Sequence, residues 1–250
     1  MKTDEKNTLP RLRIAILGNK NVGKSALTVR FLTRRFIGEY RSNTDLLYRQ
    51  TVTVNNISQE VEIVDVCCET LNSATDHVKQ QQTNNQQEII PEEPLYWADA
   101  CIVTYSITDR KSLQYAVQVL DKLVQLRNQI GIPVTLVGNK SDLEHLREVD
   151  EIEGRTIAVQ HNCQFYEVSV ADNTTNLYQA FETLILECRV IQQTTQKTRK
   201  FSVSKMIGTL IGKTPQSLPQ GGTVVVCQKS DLYKSRVLKR RHNLTATASL

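Results

Sequence analysis

A chain of 250 residues, 40% hydrophobic and 23% charged, with ten glycines and six prolines, has the make-up of a folded domain and excludes a collagen, a wholly disordered chain or a disulfide-built mini-protein. No run nears the roughly 18 apolar residues of a membrane span, and the polar stretch Met1–Arg13 predicts no secretory leader, so the six scattered cysteines are expected in a reducing, cytoplasmic setting. The net charge of +5 divides into −5 over residues 1–190 and +10 over residues 191–250, a mildly acidic body with a tail drawn to polyanions.

After a ragged start over residues 1–10, Ile14, Ala15, Ile16 and Leu17 read as a strand that stops at Gly18. A helix from Gly23 to about Thr33 would bury Ala26, Leu27 and Phe31. Residues 50–66 read as two strands turning at Asn55-Asn56, with Val61, Ile63 and Asp65 alternating against Glu60, Glu62 and Val64. Between Asp76 and Glu93 the chain is Gln/Asn-rich and too polar to bury, an insertion. The run Cys101–Ile107 predicts a strand, and Ser112–Asn128 a helix with Leu113, Ala116, Leu120 and Leu123 on one face. A strand at Val134–Val137 ends at Gly138; a helix at Glu151–Gln160 and a strand at Phe165–Ser169 follow. The last periodic helix, Thr175–Val190, sets Leu177, Phe181, Leu184, Ile185 and Cys188 at helical spacing. Strands alternating with helices predict a three-layer α/β domain over residues 11–190: a mostly parallel sheet with one antiparallel edge hairpin. Residues 191–250 are expected to form a basic, largely disordered tail.

Two motifs carry chemistry. Gly18, Asn19, Lys20, Asn21, Val22, Gly23, Lys24 and Ser25 fit G-x-x-x-x-G-K-[ST] between a strand and a helix, where the glycines let successive N–H groups converge on phosphate oxygens at a helix N-terminus. Lys24 is expected to reach the β- and γ-phosphates, and the Ser25 hydroxyl to ligate Mg²⁺. Alone, this loop leaves an ATPase, a kinase and a GTPase open. The second motif, Asn139-Lys140-Ser141-Asp142, follows directly on the Val134–Gly138 strand. A carboxylate there accepts both N–H groups on the Watson–Crick edge of guanine, a pair that adenine cannot supply. Asn139 would bond the other side of the base, and the Lys140 stem would cover the ring. Guanine is thereby favoured over adenine.

With both motifs in hand, the chain from about Arg13 to Val190 resembles the Ras superfamily of small GTPases. Phe36-Ile-Gly-Glu-Tyr40, Tyr48-Arg49 and Tyr105-Ser-Ile-Thr108 are most similar to the Ras-like/RERG branch, some members of which lack the usual switch threonine, as Asn43-Thr44 does here. The P-loop GTPase fold is what the resemblance implies, with GTP/GDP and Mg²⁺ as ligands and a monomer as the working form. It extends the nucleotide contacts to Ala26, and adds Phe36 against the guanine and Ser169 and Val170 in the segment Glu167–Ala171. Asp65 would hold Mg²⁺ through water, together with Ser25 and either Asn43 or Thr44. Effectors and regulators are expected over residues 36–50 and 65–96.

Four departures from the family bear on hydrolysis. Asn43 stands where a threonine is usual. Cys68 replaces the glycine whose N–H senses the γ-phosphate, and Glu69, at a degenerate water-positioning site, replaces the glutamine that orients the attacking water. Lys20 puts a side chain where an activating arginine enters, and the insertion lengthens the second switch. The catalytic set is thus Lys24 and Glu69, and slow hydrolysis is expected. The alternative is a nucleotide-supported scaffold that signals through its insertion and tail.

The chain ends Thr247-Ala-Ser-Leu250, with no cysteine fourth from the end, which predicts no prenyl anchor. Lys197, Arg199, Lys200, Lys205 and Lys239–Arg241 leave an anionic membrane surface or nuclear import as destinations. Val203, Met206, Ile207, Leu210 and Ile211 would form one apolar stripe on a helix flanked by lysines. A 197–215 peptide that gained no helicity on anionic vesicles would defeat the membrane version.

Overall fold

The structure, a computed structural model, describes residues 9–38, 40, 45–67, 90–199 and 223–226. Strands and helices alternate along it: β1 (Leu12–Gly18), α1 (Lys24–Thr33), β2 (Leu46–Val54), β3 (Ile57–Asp65), α2 (Glu92–Trp97), β4 (Ala100–Ser106), α3 (Arg110–Ile130), β5 (Val134–Asn139), α4 (Glu151–Gln160), β6 (Gln164–Val168), α5 (Thr175–Arg199) and β7 (Thr223–Val226). A short 3-10 helix, Ser141–Leu146, lies between β5 and α4. The sheet runs β6-β5-β4-β1-β3-β2-β7. β1 is parallel to β3 and β4, and β5 is parallel to β4 and β6. Gly18, Asp65, Ser106, Asn139 and Val168 therefore end their strands on one rim. In α/β sheets that rim holds ligands, at the place where the strand order reverses.

Both faces of the sheet are covered, and β4 is buried along its whole length, as a central parallel strand should be. On one face Leu113, Ala116, Leu120 and Leu123 of α3 join Leu95 and Trp97 of α2. On the other, Ala26, Leu27 and Phe31 of α1 pack with Leu177, Phe181, Leu184, Ile185 and Cys188 of α5, and the Phe31 and Phe181 rings stack with centroids 3.9 Å apart. The helical spacings in the sequence mark these residues out, because burying one stripe per helix is what holds such a domain together.

The structure corrects the sequence expectation in five places. The hairpin turns at Asn55-Asn56 with both residues at positive φ, the geometry of a two-residue hairpin turn, but β2 begins at Leu46 rather than near residue 50. The alternation expected along the second strand is absent. Glu62 is buried beside Val61 and Ile63, its carboxylate 2.9 Å from Arg11, 3.4 Å from Arg13 and 2.8 Å from Arg49, and a buried charge needs such partners. The insertion ends before Glu92. Pro91 precedes α2, Glu92 and Glu93 sit in its first turn, where a helix favours acids, and Leu95 and Trp97 are fully buried. The last helix continues past Val190 to Arg199, so the tail expected from residue 191 starts as helix. Lastly, the hairpin is not the edge of the sheet. Thr223–Val226, from the region expected to be disordered, pairs antiparallel with β2 and adds a seventh strand. The stripe over residues 201–213 and most of the insertion lie outside the described residues.

Candidate functional site

A cleft of about 590 Å³ opens on the strand-end rim. Its floor is the β1–α1 turn, which packs too closely for any side chain at two positions. A Cβ on Gly18 (φ +144°) would stand 2.2 Å from the Thr104 carbonyl oxygen of β4, and one on Gly23 (φ +94°) would stand 2.3 Å from Asn139 Nδ2. The two glycines thus draw β4 and the end of β5 against the turn. Asn19 turns its side-chain oxygen onto the Lys20 N–H at 2.6 Å, and its main-chain carbonyl accepts the Lys24 ammonium at 2.7 Å. Val22 is buried, and Lys20, Asn21, Gly23, Lys24, Ser25 and Ala26 line the cleft.

At one end of this floor the Ser25 hydroxyl donates to Asp65 Oδ2. Burial pushes the Asp65 carboxyl up to about 6; the Ser25 bond and Lys24 oppose that rise, and Asp45 adds to it. Asp45, itself buried, accepts the Cys67 N–H at 2.8 Å and so ties the start of β2 to the chain leaving β3. A hydroxyl and a carboxylate of this kind are hard oxygen donors, which suit Mg²⁺ when phosphate and water complete its shell. Among the described residues no cluster of three or more histidine, cysteine or acidic side chains forms a metal site. Asn43, Thr44, Cys68 and Glu69 lie outside the described residues.

At the other end, neutral and charged hydrogen bonds interlock. Asn139 Nδ2 donates to the Val22 carbonyl at 2.8 Å, and the Val170 N–H donates to Asn139 Oδ1 at 3.3 Å. Lys140 adopts a left-handed conformation (φ 70°) that starts the 3-10 helix and sets Asp142 at the mouth of the cleft. Ser169 Oγ donates to Asp142 Oδ1 at 2.7 Å and accepts the Asp172 N–H at 2.9 Å. One Asp142 carboxylate oxygen is thereby fixed from behind. Val170 and Ala171 line the wall, with Ser169 behind them. Phe36 borders the cleft at 49% exposure, with the Tyr40 ring 6.5 Å away and the Tyr40 hydroxyl accepting the Ile37 N–H at 3.1 Å.

Three supports were not visible as motifs. Arg30 of α1 is buried and donates to the Val170 carbonyl at 3.0 Å, the Ala171 carbonyl at 2.8 Å and the Arg34 carbonyl at 3.1 Å, so the phosphate-loop helix carries the 169–171 wall. Its only sequence signal is a charge on the same helical face as Ala26, Leu27 and Phe31. Arg147 joins Glu144 of the 3-10 helix to Glu167 of β6, with N–O distances of 2.6 Å to each, and both carboxylates raise its pKa. Asp45 had no signal at all.

A family model described as Ras family matches residues 13–190. Ras-like protein family member 11B of Xenopus laevis is 37% identical over 193 residues, 77% of this chain and 74% of that protein. The protein of the same name from Danio rerio is 34% identical over 198 residues, 78% of this chain and 76% of its own length. The Ras-related and estrogen-regulated growth inhibitor-like protein of Bos taurus is 32% identical over 215 residues, 83% of this chain and 98% of that protein.

Proposed function

The chain belongs to the Ras family of small GTP-binding signalling proteins, and on that premise we propose that it is a guanine-nucleotide switch whose own hydrolysis of GTP is slow. The observation that carries this reading is the single cleft in which the Lys24–Ser25–Asp65 group and the Asn139–Asp142–Ser169 group stand at opposite ends. In this reading the main-chain N–H groups from Gly18 to Ala26 take phosphate oxygens, and Lys24 exchanges the Asn19 carbonyl for the β- and γ-phosphates. Ser25 and, through water, Asp65 would hold Mg²⁺, with Asn43 or Thr44 completing the protein's share; bound there, it would supply positive charge against the phosphates.

At the base end Asp142 accepts the paired guanine N–H groups while Ser169 keeps the carboxylate from turning away. Asn139 acts as a spacer between the phosphate loop and the base wall, since its amide bonds both. Phe36 and Lys140 flank the ring, and Val170 offers main-chain contact. No feature of the described residues favours a static scaffold.

Slow cleavage follows from Glu69 and Cys68. A glutamine orients the attacking water by donating and accepting at once, whereas an ionised glutamate only accepts and also faces a polyanion. Lys20 adds a side chain at the mouth, where it lines the cleft. Single-turnover GTP cleavage tests the proposal. The double substitution Cys68→Gly with Glu69→Gln is expected to raise the rate at least about tenfold, on the scale by which water positioning acts in this chemistry. An unmodified rate already equal to that of an ordinary Ras-type enzyme would contradict it.

A further inference from the structure

Without β7, the sheet would end at β2, and Leu46–Val54 would present an open row of main-chain donors and acceptors. Such edges recruit other strands and are normally short, charged or covered. Here the half nearest the cleft is covered. Thr223–Val226 runs antiparallel along it, pairing Arg49 with Thr223, Tyr48 with Val224, Leu47 with Val225 and Leu46 with Val226.

Local sequence and chain geometry both fit this pairing. A threonine and three valines, all β-branched, follow Gly221-Gly222, and such runs favour a pleated strand. α5 passes the hairpin end of β2, where Arg189 donates to the Val54 carbonyl at 3.1 Å and the Ile57 carbonyl at 3.2 Å. β7 then enters from that same side, opposite Arg49, and runs toward the rim, opposite Leu46. Residues 200–222 can span at most about 75 Å, far more than the length of a sheet edge, so the connection demands no strain.

The position of the covered stretch gives it consequence. Leu46 pairs with Asp65 on its other side, and the residue before it is Asp45, whose carboxylate holds the Cys67 N–H. The strand from the tail therefore ends against the part of β2 that joins the cleft.

We propose that the Leu46–Arg49 edge is a strand-docking surface that this chain fills with its own Thr223–Val226, so that an extended segment of a protein partner gains the edge only by displacing that strand. Recognition at such an edge runs through main-chain hydrogen bonds and suits an extended, β-branched peptide. Because the internal strand belongs to the same chain, its binding is intramolecular, and tethering of this kind gives effective concentrations on the order of millimolar, the level a competing strand must exceed. The inference does not depend on which nucleotide the cleft takes.

Amide hydrogen exchange by NMR on the full chain tests it. In an antiparallel arrangement the β2 N–H groups point alternately to β3 and β7, so two of the four amides from Leu46 to Arg49 face β7. Replacing Val224→Pro and Val225→Pro together deletes two of the four β7 N–H groups, one of them facing β2, and removes the segment from a paired strand, where proline is not tolerated. The two amides facing β7 are expected to exchange at least tenfold faster, with those facing β3 unchanged; equal exchange in both chains overturns the proposal. Should the variant unfold and expose β3 as well, cross-strand Hα–Hα contacts between Leu46–Arg49 and Thr223–Val226 in the unmodified chain decide, and their absence overturns it. A peptide of residues 221–228, added at millimolar concentration to the folded variant, is expected to restore protection to the same two amides. Failure to do so removes the docking-surface part of the claim.

Discussion

The two ends of the cleft are built on different physical terms. At the Asn139–Asp142 end the protein's own groups are satisfied: Asn139 is bonded on both sides of its amide, and Asp142 is held by Ser169, which is held in turn by Asp172. At the Ser25–Asp65 end, two carboxylates, Asp45 and Asp65, are both buried and Asp45 adds to the raised pKa of Asp65, while the nearby Lys24 ammonium is bonded to a main-chain carbonyl. The first end is preorganised by its own hydrogen bonds. The second stores charge that a cation and phosphates would balance. Under the proposed function, rigid geometry would set nucleotide identity, and electrostatics would set nucleotide state.

Perturbing the rigid end should give the largest effect. Asp142→Asn swaps an acceptor for a donor opposite a guanine donor. One hydrogen bond to a charged group becomes a donor–donor clash and the other loses its charge, a cost of roughly 3–4 kcal/mol, so GTP affinity should fall several hundredfold while xanthosine triphosphate gains. Competition against a fluorescent guanine nucleotide measures both, and an unchanged preference would break the assignment of this end.

The charged end should respond to pH instead. The Asp65 carboxyl lies at about 6 in the folded chain against 3.8 for the free group. A raised folded pKa means a contribution that is fully present below pH 4 and lost as pH rises through about 6. In the presence of a chelator, the unmodified chain should thus lose about 3 kcal/mol of stability between pH 4 and 7 from this group. Asp65→Asn should remove that slope in thermal melts, and adding Mg²⁺ should flatten it in the unmodified chain. A slope unaltered by the substitution would assign the pH dependence elsewhere.

A smaller effect separates positioning from contact. Arg30→Met keeps the apolar stem and deletes two bonds to carbonyl oxygens of the base wall and one to the Arg34 carbonyl at the end of α1. Affinity for GTP and GDP should fall together, about tenfold, with a loss of stability on the order of 2 kcal/mol. A loss confined to GTP would mean that Arg30 acts at the phosphate end, and the two-end account would need redrawing.

What the sequence made legible follows the same division. The β1–α1 turn and Asn139-Lys140-Ser141-Asp142 are readable because each needs fixed residue types at fixed spacing, and the helices that carry them bury regular stripes. Arg30, Asp45 and Arg147 were not readable, since their partners lie on other elements and no local pattern records a tertiary hydrogen bond. α2 escaped because a polar insertion adjoins a helix of one and a half turns. The last two turns of α5 escaped because Gln192–Arg199 has no apolar period to reveal a helix. β7 is four residues whose partner strand is more than 170 positions away in sequence.

The most direct test of the central claim is a competition experiment on the purified full chain in Mg²⁺, titrating GTP and ATP separately against a bound fluorescent guanine nucleotide. With Asp142 fixed by Ser169 at the mouth of the cleft, GTP is expected to displace the probe at a concentration at least about a thousandfold below that of ATP. Equal displacement by the two nucleotides would contradict the account.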